Sequence, residues 1–567
     1  MSHDSNTRDG AIGGLVKETP NSSKAEAHLG PRQEFEVALD QDASQSDGNW
    51  RATTQIKLIL ICLAIVSIVV ALDATILVAA LPTLATSLNG TANETFWAGS
   101  AYLLTSAVFQ PILVALSDIL GRREILFTAL VFFTGGSLIC CLANNFRVLL
   151  TGRAMQGIGG GGVIVMNLII MTDVIPLRFR PKYNGVSQVA WALGTIIGPI
   201  IGGVIAEKTT WRWLFYLNFT FCGIGLLMVP FVVRISRAQK SVRAGLLQFD
   251  WLGSCLFIAS STALLIGLTW VGHQYPWDSY QTLVPLCVGA GGLLFNGLWE
   301  VSIAKQPFIR RTMLRDRSLM TAYFCTLLQG LTLYGGIYYL DLLLLSVQAR
   351  KPLNVGLVIL PIGCGLVPAS TLFGLAISRL GKWRWVVWAG WALNTLGMGL
   401  LILLRTSTSV VAMVFIFLVL GLGQGALLVG HNFAVQALAT VEDVASATAL
   451  FAFMRGLGLC LGVAIGGTVF QNRLATYLSD AGLPTVIATI AESYITELVS
   501  LPATSAQRIA VTQAYSKAFQ SLFEVMTGIS GLGFILSFTL RSASLDKILA
   551  SAHELQGKES NSSENCA

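Results

Sequence analysis

The sequence predicts an all-α polytopic membrane protein, and three observations carry that prediction. Hydrophobic residues fill 54% of the 567 positions and charged residues only 12%. A soluble domain carries about 25% charged residues, so this chain could not coat a soluble globule with polar groups. The mean hydropathy of +0.67 belongs to a chain of long apolar runs. Its 56 glycines and 13 tryptophans suit helices that approach closely within lipid and anchor at its interfaces. A soluble enzyme, a nucleic-acid-binding protein and a secreted disulfide scaffold are excluded.

The elements follow in order. Residues 1–54 are rich in Ser, Asp, Glu and Gln and read as a disordered tail. The first apolar run starts near Leu58 and is too long for the core of a signal peptide. A hydrocarbon layer of about 30 Å needs about 20 apolar residues per helix, and fourteen segments meet that ruler. They lie near 57–82, 96–118, 124–144, 147–171, 183–205, 213–233, 250–271, 281–300, 319–346, 354–377, 384–404, 409–431, 445–470 and 519–540. A long outside loop is predicted at about 471–518, with a short amphipathic helix around Pro484–Leu498, and residues 546–567 form a short tail.

Orientation follows from the basic residues, which mark cytosolic loops. Alternate connections hold Arg122 and Arg123; Arg178, Arg180 and Lys182; Arg234, Arg237, Lys240 and Arg243; Lys305 to Arg317; and Arg379, Lys382 and Arg384. The opposite connections are poorer, so the first set is cytosolic and an even span count places both termini in the cytosol. The net charge of +7 is thus a topology signal and not a nucleic-acid footprint. Asn89-Gly90-Thr91 and Asn93-Glu94-Thr95 are glycosylation sequons in the first outside loop. The ten cysteines show no metal-ligand spacing and read as small buried hydrophobes. No metal or cofactor is predicted.

Ionisable groups inside spans are costly and are therefore functional candidates. Asp73, well inside the first span, is either a proton-coupling carboxylate or a permanently paired structural one. Arg153 cannot discharge; it is either a fixed counter-charge to Asp73 or a bound anion, or a residue snorkelling to the interface. Asp118, Gly121, Arg122 and Arg123 form a surface turn that either locks helix ends in one conformation or merely carries topogenic charge. Gly194, Gly198 and Gly202, with Pro199 among them, clear one face of the fifth span for close packing. Asp341 is a buried-looking carboxylate in the second half. Gln156, Gln329, Tyr338, His431, Asn432, Gln436 and Arg455 are candidates for a cavity wall. Gly157, Gly159 and Gly162 match a dinucleotide pattern but sit within a membrane helix, and the chain lacks a phosphate-loop motif, so ATP is not the evident energy source.

Together these segments resemble the major facilitator superfamily, and within it the fourteen-span drug:proton antiporters of fungi. The resemblance lies in Leu72-Asp73-Ala74-Thr75-Ile76, Asp118 to Arg123, Arg153-Ala154-Met155-Gln156-Gly157, Gly194 to Gly203, Trp211 to Asn218 and the stretch from Gln436 to Arg455. It covers roughly residues 55–545. It implies the major facilitator fold: a six-helix bundle over 55–235, two inserted spans over 236–304 and a second bundle over 305–545. It also implies a monomeric plasma-membrane pump that exchanges protons for a hydrophobic small molecule such as a secondary metabolite, toxin or drug. Asp73 and Arg153 then match coupling positions, and the Asp118 turn a conformational lock. The alternatives are a proton-coupled importer of a siderophore or nutrient, and a non-transporting sensor. Asp341 departs from the family pattern, in which Pro is usual, and His431 departs as well; Asp341 is read as a second protonatable site or a substrate contact.

Overall fold

The computed structural model describes residues 52–545 except 89–91, 236–240, 271–274, 276–277, 305–306, 308–309, 351 and 503. The tail segments 1–51 and 546–567 lie outside the described residues, as does Asn89. The side chains of Asn93 and Pro199 are likewise not described.

Among the described residues fourteen long helices, labelled here α1 to α14, occupy the predicted segments. They are Thr54–Ser87, Ala92–Leu120, Arg122–Cys141, Phe146–Val174, Arg180–Lys208, Trp213–Val232, Trp251–Trp270, Tyr280–Ser302, Arg317–Ser346, Pro352–Leu380, Arg384–Leu401, Val410–Leu438, Val444–Asp480 and Ala506–Ser537. Twelve of them are long and apolar enough to cross a membrane; α5 and α11 are the other two. The eighteen residues of α11 include Arg384, three tryptophans and Asn394, which dilute its apolar character. Among the described residues, twelve spans on this measure stand where fourteen were predicted.

The loop predicted at 471–518 is mostly helical. α13 runs on to Asp480 and α14 begins at Ala506. The extensions form because they bury each other's apolar faces: Phe470 stacks on Phe519 at 4.4 Å, and Leu474 and Leu478 are fully buried beside them. Gly482, at φ +66, adopts the left-handed conformation that ends a helix cheaply. The short helix Ala491–Ser500 falls where an amphipathic helix was predicted; it buries Ile495 and Leu498, and its Ala491 carbonyl accepts from the Tyr515 hydroxyl at 2.8 Å.

The packing has an internal repeat. In the first half α1 packs on α5 and α6, α4 receives α2 and α3, and α3 also packs on α6. Adding eight to each label gives the second half: α9 on α13 and α14, α12 with α10 and α11, and α11 on α14. The halves meet through α5 against α10 and α2 against α13, two contacts that the same operation exchanges. α7 and α8 pair with each other, and α7 reaches α2 and α13.

Glycine sets the closest of these contacts. A Cβ at Gly194, Gly198 or Gly202 of α5 would fall on Ala71, Thr75 or the Ile76 carbonyl of α1. The equivalent helix α13 repeats the device at the same four-residue spacing. A Cβ at Gly458, Gly462 or Gly466 would fall on Leu327, Leu331 or Tyr339 of α9.

Candidate functional site

In the first half the polar side chains gather into one knot. Asp73 of α1 is 1% exposed, and both its carboxylate oxygens accept hydrogen bonds. Arg153 Nη1 of α4 donates to Asp73 Oδ2 at 2.6 Å. Asn218 Nδ2 of α6 donates to Asp73 Oδ1 at 2.7 Å, and Gln156 Nε2 of α4 to the same oxygen at 3.2 Å. Gln156 also donates to the Ser137 hydroxyl of α3 at 2.7 Å and accepts from Arg153 at 2.8 Å. Arg153 Nε donates to the Ala98 carbonyl of α2 at 3.0 Å, and its guanidinium lies 4.6 Å from the centre of the Tyr102 ring. Five helices thus converge on one buried ion pair. Arg153 is itself 1% exposed, so it does not snorkel.

At the end of the molecule carrying the α2–α3 and α4–α5 turns, a second charged group spans the helix ends. Gly121, at φ 107, makes a turn that only glycine takes without strain, and its amide donates to the Ser117 carbonyl at 3.0 Å. The turn brings Arg122 back onto Asp118 at 2.7 Å and onto the Ser117 hydroxyl, and its Nε reaches Asp173 of α4 at 2.8 Å. Arg123 does not join this group; it turns towards the Pro230 carbonyl of α6 at 3.5 Å. Arg180, the first residue of α5, donates to the Thr172 and Ile175 carbonyls at 2.5 and 2.7 Å and crosses to Gln436 of α12 at 3.0 Å. Beside it a Cβ at Gly374 of α10 would meet the Pro181 carbonyl, and one at Gly185 would meet Thr371. The two halves are closed against each other at this end. Sequence reasoning took Arg180 only as a topology signal and passed over Asp173; a carboxylate in the last turn of an apolar helix was the available clue.

In the second half Gln329 and Thr332 of α9, Asn394 of α11, Gln424 of α12 and Ser530 of α14 form a neutral network, all fully buried. Gln424 donates to Asn394 at 2.8 Å and to Thr332 at 3.3 Å; Asn394 donates to Ser530 at 2.8 Å; Gln329 donates to Gln424 at 3.4 Å. Of these only Gln329 was singled out in the sequence. Gln436 and Asn432 bond each other at 3.0 Å beneath Arg180, and His431 is fully buried with Nε2 accepting from Trp391 at 3.2 Å. Tyr338 is half-buried and packs edge-on against Tyr339 at 5.0 Å. Asp341 is half-buried and, among the described residues, without a hydrogen-bond or ion-pair partner. It shares one face of α9 with Gly330, Tyr334 and Ile337, at spacings of four, three and four residues. Arg455 of α13 is half-buried, and its Nε is buried without a partner.

Residues 63–463 match the Major Facilitator Superfamily. The chain belongs to that family. Membership makes it a membrane transporter and not an enzyme. It is 38% identical over 514 residues to the MFS transporter L2 of a Phoma species, covering 90% of this chain and 85% of that one. It is 31% identical to the MFS efflux transporter aclA of Aspergillus oryzae, over 89% of this chain and 93% of that one. Against the efflux pump FUS6 of Gibberella moniliformis it is 30% identical, over 96% and 97% of the two chains. Among solved structures it shares the fold of the human organic anion transporter MFSD10, with a TM-score of 0.55 at 15% identity over 86% of this chain and all of that one. The proton:xylose symporter XylE gives 0.53 at 11% identity, over 87% and 98%.

Proposed function

We propose that this transporter exports a hydrophobic small molecule, such as a secondary metabolite, toxin or drug, in exchange for protons by alternating access. The observation that carries the reading is the buried Asp73–Arg153 pair at the convergence of five helices. Protonation of Asp73 removes the charge that holds Arg153 and loosens α1, α4 and α6 together; release of the proton draws them back. The efflux names of the relatives support the direction of transport, as does the glycine stripe by which α5 lies against α1.

The repeated pairing of α1–α6 and α9–α14 supports two six-helix bundles with α7 and α8 inserted, and hence fourteen spans. The Asp118–Arg122–Asp173 group and the Arg180–Gln436 bridge serve as the lock on the side that the basic loops mark as cytosolic. Asp341 is a second protonatable group, on the α9 stripe that carries Tyr334 and Ile337. The protein works as a monomer in the plasma membrane with both termini in the cytosol and sugars on Asn89 and Asn93.

The test is efflux of a lipophilic fluorescent dye panel from proteoliposomes with an imposed proton gradient. Wild-type protein accelerates efflux when the gradient is present and Asp73→Asn does not. Efflux by the wild type that ignores the gradient removes the antiport reading.

A further inference from the structure

Arg455 is the second arginine deep within a span, and unlike Arg153 it has no counter-ion among the described residues. It lies eleven residues into α13, about 16 Å from the helix start. At this level α13 touches both halves of the molecule: the Arg455 carbonyl lies against Gly330 of α9, and Gly456 lies against Ala107 of α2. On a helical wheel Arg455 falls between Gly458, which lies against Leu327 of α9, and Gly456, which lies against Ala107 of α2, so it occupies the sector of α13 between those two helices.

Four carboxylates of the spans and their ends are committed elsewhere. Asp73 is held by Arg153, Asp118 and Asp173 by Arg122, and Asp443 by Arg310 at 2.8 Å. Asp341 is on the same stripe of α9 as Gly330 but eleven residues further on, about 16 Å along the axis. Among the described residues Arg455 makes no hydrogen bond or ion pair through its side chain, and its Nε is buried and unpartnered. A second orphan lies one helical turn along α2 from Ala107, the residue that Gly456 packs against. Gln110, three residues on from Ala107 in α2, is 6% exposed, and its Oε1 has no partner. The α9 stripe that starts at Gly330 continues with an aromatic and an apolar residue, Tyr334 and Ile337.

A guanidinium cannot lose its proton, and an uncompensated charge at this depth costs a few kcal/mol on insertion scales. Its planar fork of donors matches a carboxylate two bonds at a time. We propose that Arg455 and Gln110 form the anion-binding end of the cargo site, and that the cargo is an amphipathic acid: an apolar body carrying a carboxylate. Arg455 binds both carboxylate oxygens, and Gln110 receives a hydroxyl or donates its amide to the same group. This assignment rests on the transporter reading above and narrows it to a substrate class.

The experiment uses the full chain in nanodiscs with 1-pyrenebutyrate and its uncharged methyl ester as probes, read by fluorescence anisotropy. Wild type is expected to bind the carboxylate at least tenfold more tightly than the ester. Arg455→Gln is expected to bind the two alike, with Arg455→Lys between. Thermal melts without probe separate this from a structural role. Arg455→Gln removes an unpaired charge, so it should melt at or above the wild-type temperature, whereas loss of a structural arginine would lower it. Equal binding of the two probes by wild type, binding of neither, or a preference that survives Arg455→Gln overturns the proposal. The assay needs no proton gradient, so its failure leaves the export reading standing. Gradient-independent efflux together with an intact carboxylate preference would overturn the export mechanism alone.

Discussion

The two halves of the molecule build the same polar knot from equivalent helices and fill it with different chemistry. In the first half α1, α3, α4 and α6 contribute Asp73, Ser137, Arg153, Gln156 and Asn218. In the second, α9, α11, α12 and α14 contribute Gln329, Thr332, Asn394, Gln424 and Ser530. The side chains of both knots are buried, and in each they come from four helices. Only the first contains charge. Amides and hydroxyls cannot change protonation near neutral pH, so the second knot holds its helices in every protonation state. In the proton exchange proposed above, the first is the knot whose bonding the proton alters. On the proposed mechanism one half is a scaffold at this depth and the other a switch, although the helices around them are related by a repeat.

That contrast can be broken in several places, and the largest effect is functional. Asp73→Asn keeps the shape of the carboxylate and is expected to abolish gradient-driven efflux, whereas Gln424→Met on the neutral side should leave the gradient dependence intact. Dye efflux from proteoliposomes checks both, and equal losses would refute an asymmetric division of labour.

The next effect is on stability. Arg153→Met leaves Asp73 buried without its counter-charge, which costs about 3–5 kcal/mol. Gln424→Met removes hydrogen bonds between helices that average about 0.6 and reach about 1.7 kcal/mol within membranes. Thermal melts of the purified variants should therefore separate the two clearly, and similar melting temperatures would show that the ionic knot is not special.

A smaller effect is expected at the seam. Arg180→Gln weakens a charge-assisted bridge worth about 1.5–3 kcal/mol and should speed labelling of a cysteine placed at Thr371 by a membrane-impermeant reagent. Unchanged labelling would mean that packing at Pro181 and Gly185 alone closes that end. The smallest difference is one of symmetry. Gly198→Val and Gly462→Val each drive a branched side chain into the partner helix and should destabilise by similar amounts, about 1–3 kcal/mol. A large inequality between them would mean that only one of the two glycine stripes is held in tight contact.

The positions of the long helices were legible in the sequence because a span is a matter of length and apolarity alone. Asp73 and Arg153 were legible too, since a charge within an apolar run stands out wherever it points. Asn218 and Gln424 were not weighed, because an isolated amide in a span carries no sign of what it meets. Gly458, Gly462 and Gly466 had the same spacing as the stripe in α5 and were readable by that comparison. The extensions of α13 and α14 were missed because their polar outer faces look like loop in sequence, while the stacking of Phe470 on Phe519 that holds them is a contact between helices.

By itself the sequence determined the class of protein, the order of its long apolar helices, and which few charges had to be accommodated in the membrane. Tertiary structure decided which charges meet. Asp73 and Arg153 are 80 residues apart in the chain, and Arg180 and Gln436 are 256 apart. The physical reason is the solvent. In water an amphipathic stripe tells a helix's inner face from its outer one, but in lipid both faces are apolar. Hydrophobic pattern then says nothing about partners, and only the packed structure shows that Asp73 is answered by Arg153 while Arg455 is answered by no side chain among the described residues.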